Sequence, residues 1–327
     1  MRSAWKRLRY RLEWFGVSLA AVLVPLLPQS FWIGFSRVVG STAFALDRRA
    51  RRVAISNLEA AFGDRFSVAE RRSIACQSFQ HFSRTMLEFL WSRHLNSRNF
   101  LRYIEMVNAE EIERLSRDGR FIIAVYHYSN WEWLSVACGY SKIYGTVVSQ
   151  EFKNGLLDSI FKELRERPGH EFIPRHRGVI RMYRALKRKK GVAMLIDLTL
   201  PPREGAVVID CFGLKTSVTA AHAWLHKRTG VPIFPAHTEP LPGGGYRVIF
   251  HPTIKDAQDK SEREIAQMCW DGFQPYAEKN PAPWLWMYKH WRYKPAETDR
   301  EYPFYAQTLP RFDRMIAAPN SVVEPPI

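Results

Sequence analysis

Hydrophobic and polar positions divide this chain into three stretches of different period. The first runs from Trp14 to Ser36 (WFGVSLAAVLVPLLPQSFWIGFS) without an ionisable side chain. As one helix it would reach across a hydrocarbon layer of roughly 30 Å. Pro25 and Pro28 argue for a bend instead, and Ser30 is placed to cap a second helix. The second stretch, 46–118, reads as helical. ARRVAISNLEAAF has apolar residues at helical spacing, and Ser67 with Glu70 forms a capping box that opens the next helix. That helix carries CQSFQHFSRTMLEFLW, an aromatic stripe suited to packing or membrane contact rather than to a cofactor.

From about residue 119 the pattern changes. Short apolar runs at Phe121–Tyr126, Ile143–Ser149, Glu171–Pro174, Val192–Ile196, Val207–Phe212, Pro232–Thr238 and Tyr246–Phe250 read as strands. Helical patterns separate them near 153–166, 177–189 and 217–229, and another follows at about 260–279. The expected fold class is α/β, with a mixed, mostly parallel sheet covered by helices and an N-terminal membrane-anchoring helical segment. Ligands of such sheets bind beyond the carboxyl ends of the strands. The expected organisation is an anchor over 1–45, a helical segment packed on the core over 46–118, an α/β core over 119–295, and a proline-rich, irregular tail over 296–327 with a disordered end.

Composition adds a core and a charge. The 327 residues are 46% hydrophobic, which excludes global disorder. Cys76, Cys138, Cys211 and Cys269 lie far apart, which excludes a disulfide scaffold or a cysteine-rich zinc module and fits a reducing compartment. Lys and Arg exceed Asp and Glu by 48 to 32, so an anionic partner is expected: nucleic acid, anionic lipid or an acidic protein. Half of that excess lies in residues 1–52, where ten basic side chains face only Glu13 and Asp47. Arg2, Lys6, Arg7, Arg9 and Arg11 precede the apolar run, and Arg48, Arg49, Arg51 and Arg52 follow it. Basic clusters on both sides suit a bent or re-entrant anchor held against anionic headgroups, with Trp5, Trp14 and Trp32 at the interface. A cleaved signal peptide and a buried core helix are the competing readings of this run. A nucleic-acid-binding protein would explain the charge but not its bracketing of an apolar segment, and no RNP, helix-turn-helix or zinc-finger signature is present.

Candidate chemistry concentrates in FIIAVYHYSNWEWLSVACGY. An apolar strand ends at His127, a helix opens within three residues, and Glu132 follows as H-x4-E. With Ser129 as N-cap, Glu132 falls in the first turn, where a carboxylate can hold the imidazole in one tautomer and stabilise its cation. The same residues also read as a capping box. Asn130 can donate to a developing oxyanion or cap the helix. His222 and His226 have metal-ligand spacing on one helix, but no third ligand or H-E-x-x-H pattern accompanies them, so no metal is expected.

HYSNWEW resembles the H-x4-(D/E) motif of the glycerolipid acyltransferases, in the H-[FY]-x-N-W-E form of the bacterial lipid A biosynthesis late acyltransferases (lauroyl/myristoyl acyltransferases). GVIRMYRALKRKKGVAMLID, EGAVVIDCFG, LHKRTGVPIFPAH and PAPWLWMYKHWRYKP resemble further segments of that family in the same order, so the resemblance covers roughly residues 1–295. Two positions depart: Leu198 follows Asp197 where the family has Gln, and Tyr288 replaces the first His of its C-terminal motif.

The resemblance implies a membrane O-acyltransferase at the bacterial inner membrane, its site facing the cytoplasm. It would move an acyl chain from an acyl-carrier protein or coenzyme A thioester to a glycolipid hydroxyl of lipid A, and so lipopolysaccharide, biosynthesis. Other lipid acceptors, such as a phosphatidylinositol mannoside or a lysophospholipid, are the alternative. No cofactor is needed, because the thioester is already activated. Carried over, His127 is the general base and Glu132 its orienting partner. Arg165 and Arg175 bind phosphate, polarise the thioester or are surface charge. Asp197 orients the site or caps a turn, and Arg203 with Glu204 matches an E-G motif that contacts substrate or orders its loop.

Overall fold

The computed structural model describes residues 2–149, 152–203 and 205–318. Helix α1 (Arg2–Leu23) takes in the first basic cluster and stops at a short turn over Val24–Leu26, where Pro25 lies. Helix α2 (Gln29–Leu46) then starts from Pro28, not from a Ser30 cap. The apolar run is thus divided between two helices. Among the described residues no helix is long and apolar enough to cross a membrane. Trp32, expected at an interface, is buried, and its indole N–H donates to Val24 O at 2.8 Å. Trp5 and Trp14 do face outward.

Asp47 caps α3 (Arg48–Phe62) by accepting from Ala50 N at 2.9 Å. The expected Ser67 and Glu70 capping box opens α4 (Val68–Trp91). Helix α2 lies along α4 because Gly40 has no Cβ: one added there would stand 2.4 Å from Gln80 Cα. Phe79, Phe89 and Trp91 of α4 are buried, so much of its aromatic stripe serves packing.

The 46–118 segment is not wholly helical. It contributes strand β1 (Ile104–Val107) before α5 (Glu110–Ser116). The alternation then unfolds as expected through β2 (Ile122–Val125), α6 (Trp131–Tyr140), β3 (Gly145–Ser149), α7 (Asp158–Glu166), β4 (Glu171–Pro174), α8 (Gly178–Lys187) and β5 (Gly191–Leu195). A hairpin follows, β6 (Ala206–Cys211) and β7 (Leu214–Thr219), so helix α9 (Ala221–Thr229) begins later than its apolar pattern suggests. Next come β8 (Ile233–Pro240), β9 (Tyr246–Phe250) and α10 (Glu262–Lys279), the last opened by a Ser261 and Glu264 capping box. The tail is more ordered than expected to residue 318: β10 (Tyr293–Lys294) pairs with β11 (Gln307–Thr308), and α11 (Pro310–Ala317) follows. The far end, 319–327, lies outside the described residues.

The main sheet has the order β1-β9-β8-β2-β5-β3-β4, parallel except for the β8–β9 pair. Strand β2 sits inside it, flanked by β8 and β5. Its side chains alternate between two cores: Ile122, Ala124 and Tyr126 on one face, Ile123 and Val125 on the other. Each such Ile or Val, fully buried, contributes roughly 1.5–3 kcal/mol of transfer free energy. This anchors the strand whose carboxyl end presents His127.

Candidate active site

Strands β2 and β5 are parallel, with Val125 opposite Leu195. Two residues further on, His127 and Asp197 therefore leave the sheet side by side. The His127 backbone N–H donates to Asp197 Oδ2 at 2.8 Å, and ring Nδ1 meets Oδ1 at 2.7 Å. The Trp284 indole N–H adds a third bond to Oδ2, at 2.9 Å. Burial alone would raise the Asp197 carboxyl, but the His127 charge and the hydrogen bonds from His127 and Trp284 hold it below its ordinary value. His290 stacks on Trp284 with centroids 3.9 Å apart, and burial pushes this imidazole down to about 4. An ionised Asp197 accepts the Nδ1 proton and leaves Nε2 of His127 as an acceptor. The proton-holding carboxylate of His127 is thus Asp197, where the sequence led us to expect Glu132.

Glu132 is the second residue of α6 and points to α7. Its oxygens take a forked pair of bonds from Arg165, Nη2 at 2.6 Å and Nε at 3.2 Å. Arg165 Nη1 reaches Ser149 Oγ at 2.9 Å. Burial pulls the guanidinium's pKa down, but Glu132 more than offsets this, and it stays charged.

The helix start also differs from expectation. Asn130, not Ser129, is the N-cap, and Ser129 takes a left-handed φ of 54° at the turn. Asn130 Oδ1 accepts from Trp133 N at 3.1 Å, and Nδ2 donates to the buried Glu88 at 3.1 Å. Both ends of the amide thus have a partner inside the protein, which is the capping arrangement. Glu88 also binds Gln29, Arg84 and Tyr246, a hub that ties α2, α4 and β9 to the start of α6.

His127, Glu132 and Arg165 open into one cavity of about 1160 Å³. One end is a slot between the sheet and helices α6 and α7, walled by Ile123, Val125, Leu134, Val147, Phe161 and Phe172. The other end is cationic: Arg175, Arg177, Arg203 and Arg292 line it with His176 and Tyr288. Arg175 and Arg203 thus border the cavity, while Glu204 lies outside the described residues. Tyr288, Arg292, Trp284 and Ser149 were not singled out as site residues from the sequence. The first three come from PAPWLWMYKHWRYKP, whose density of aromatic and basic residues was the available signal. His222 and His226 are buried in the core, and among the described residues no group of three metal-binding side chains occurs.

An imidazole with one nitrogen fixed by a carboxylate and the other open beside an apolar slot can remove a proton from a hydroxyl next to a fatty chain. That chemistry agrees with the chain's kinship. Residues 2–293 match the model of the bacterial lipid A biosynthesis acyltransferases, and the chain belongs to that family. It is therefore an acyltransferase of lipid A biosynthesis, acting on a lipid A-like acceptor. No curated protein matches it.

Proposed function

We propose that the protein lies on the cytoplasmic face of the bacterial inner membrane and moves a fatty acyl chain from a carrier-protein or coenzyme A thioester to a hydroxyl of a lipid A precursor. The observation that carries this reading is the His127 ring, held at Nδ1 by Asp197 and opening into an apolar slot. The acceptor hydroxyl loses its proton to Nε2 as its oxygen forms a bond to the thioester carbon. Asp197 stabilises the resulting imidazolium. The carbon–sulfur bond then breaks, and the proton passes from Nε2 to the leaving thiolate. Arg165, fixed by Glu132, faces the carbonyl as its oxygen gains charge. Glu132 is on this account a positioning residue. Arg175 and Arg203 suit the phosphates of the acceptor or the donor. The thioester supplies the activation, so the reaction calls for no cofactor.

The N-terminal helices support the membrane assignment in a bent, interfacial form. Trp5, Leu8, Leu12, Phe15, Leu19, Val22 and Leu26 recur at alternating spacings of three and four, and all are exposed. With Arg7, Arg9 and Arg11 beside them they make an amphipathic surface suited to anionic headgroups. Leu12→Glu/Phe15→Glu should release the protein from anionic vesicles in flotation, and unchanged flotation would move the anchor elsewhere. For the reaction, lipids from cells with and without the gene should differ by one acyl chain on lipid A by mass spectrometry. A difference confined to phospholipids or phosphatidylinositol mannosides would reassign the acceptor.

A further inference from the structure

The cavity is not confined to one side of the sheet. Strand β2 separates two apolar cores, and the residues lining the cavity come from both. The slot beneath α6 draws on one core through Ile123, Val125 and Leu134. Met182 of α8 and Ala221 of α9 belong to the other, with Val179 and Trp224 packed against it, and all four line the same cavity. Leu198 and Leu200, in the chain leaving β5, complete this second wall. His127 stands just past the end of the strand that parts the two compartments.

Val179, Leu198, Leu200 and Trp224 are each only half-buried, so the α8–α9 compartment keeps apolar surface open. The indole nitrogen of Trp224 is shielded from solvent, so this residue offers the cavity no donor. Such a wall favours an apolar occupant. Its mouth is cationic: Arg177 directly precedes Gly178 and Val179, Arg203 follows Leu200 by three residues, and Arg292 stands 5.3 Å over the Tyr288 ring. An apolar interior under guanidinium groups suits a chain joined to an anionic headgroup. A thioester donor brings one acyl chain, and its carbonyl carbon at His127 leaves that chain only one of the two directions. With the donor's chain in the slot, the second compartment remains for the other reactant.

We propose that the α8–α9 compartment holds an acyl chain that the acceptor lipid already carries, and that Leu198, Ala221 and Trp224 set the selectivity for that chain. This rests on the acyl-transfer reading above and adds that the enzyme reads two chains, one on each face of the sheet.

The test uses the full chain carrying Ala221→Leu, which fills the compartment. Leu198→Gln stands beside it, since it keeps the wall's volume, makes it polar and sits at a half-buried position where folding is safer. Both are compared with wild type for thermal stability. Acceptor KM is measured with a lipid A precursor bearing long chains and with the same phosphorylated headgroup bearing short ones. Donor KM is measured across thioesters of increasing chain length. Ala221→Leu should raise the long-chain acceptor KM about tenfold or more, and Leu198→Gln should raise it by a smaller factor. The short-chain acceptor KM and the donor's chain-length profile should stay within about twofold. A shifted donor profile with an unchanged acceptor KM would give the compartment to the donor and overturn the proposal. An unchanged long-chain acceptor KM in the folded variants would overturn it too. In wild type, a diazirine at the end of the acceptor's chain should crosslink to α8 or α9, and one at the end of the donor's chain to α6 or α7, as mapped by mass spectrometry. Acceptor crosslinks on α6 or α7 instead would also overturn it. If wild type turned over no donor and acceptor pair, the transfer reading would fail, and the crosslinks alone would still decide what the compartment holds.

Discussion

The His127–Asp197 pair and the Glu132–Arg165 pair face the same cavity but are built from different parts of the fold. The first joins the carboxyl ends of two neighbouring parallel strands, with Asp197 fully buried and braced by Trp284. The second joins the starting turn of α6 to the last turn of α7, and its guanidinium keeps partial contact with the cavity. The first sets an imidazole, which can accept and release a proton at a ring nitrogen, against a carboxylate; the second sets a carboxylate against a guanidinium that keeps its charge. On the proposed mechanism the first pair handles a proton, whereas the second holds a guanidinium in place. A short linear motif, H-x4-E, therefore supplies one residue to each of two devices rather than two residues to one.

Removing the base should have the largest effect. His127→Ala is expected to reduce single-turnover transfer by about 10³-fold or more, measured well below a melting temperature that falls because buried Asp197 loses its ring partner. Full activity in that variant would end the proposed mechanism. Asp197→Asn comes next, at roughly 10²–10³-fold, because the amide no longer favours the protonated ring or fixes its tautomer. The acidic limb of its pH–rate profile should move to lower pH, a shift that Glu132→Gln should not produce. If both carboxylate variants moved that limb alike, the division of labour between the pairs would collapse.

Glu132→Gln should reduce turnover by about 10–100-fold and stability by about 2–3 kcal/mol, since Arg165 is left largely buried without its counter-charge. Chemical denaturation and steady-state kinetics on one preparation measure both. A variant with wild-type rate and stability would confine Glu132 to the helix start.

Acid should weaken the Asp197 side of the site first through His290. Burial holds His290 down to about 4 from its ordinary 6.5, so the folded chain keeps it neutral where the unfolded chain binds a proton. Stability contributed by the neutral ring falls as pH drops from about 6.5 towards about 4. Asp197, with a lowered folded value, loses its contribution only below the ordinary carboxylate range, as it protonates. Melting temperature should decline from pH 7 to 5, and His290→Asn should flatten that decline. An equally steep decline in the variant would assign it to other buried histidines, such as His222. The smallest effect is expected at Asn130. Asn130→Ala should cost about 1–2 kcal/mol of stability through the lost cap and leave kcat nearly unchanged at low temperature. A large fall in kcat would restore Asn130 to the chemistry.

Much of the architecture was legible because it depends on neighbours in sequence. Strands β4 and β9 match their apolar runs, and both expected features of α4, the capping box and an aromatic stripe of which Phe79, Phe89 and Trp91 are buried, rest on local spacing. What escaped has a physical reason. Strand β1 is an edge of four residues with one side chain buried, too short for alternation to register. Strand β7, LKTSVT, is rich in polar residues; Lys215 meets Asp210 of β6 and Thr216 the His290 carbonyl only in the folded hairpin, and its end blurs into α9. Spacing put Glu132 near His127 along the chain but could not tell where each side chain points.

By itself, the sequence determined the alternation of strands and helices, the site of the strand-end histidine, the clustering of basic charge at the amino terminus and the family. These follow from local periodicity and from motifs in order. Only the tertiary structure decided which carboxylate holds His127. Asp197 lies 70 residues away, and the two meet because β5 pairs with β2 in a register that puts Leu195 opposite Val125. The same holds for the two-sided cavity. Its apolar residues were visible as residues, but their division between the two faces of one sheet depends on which strands pair and which helices cover each face. Local forces shape elements; long-range pairing decides which side chains meet.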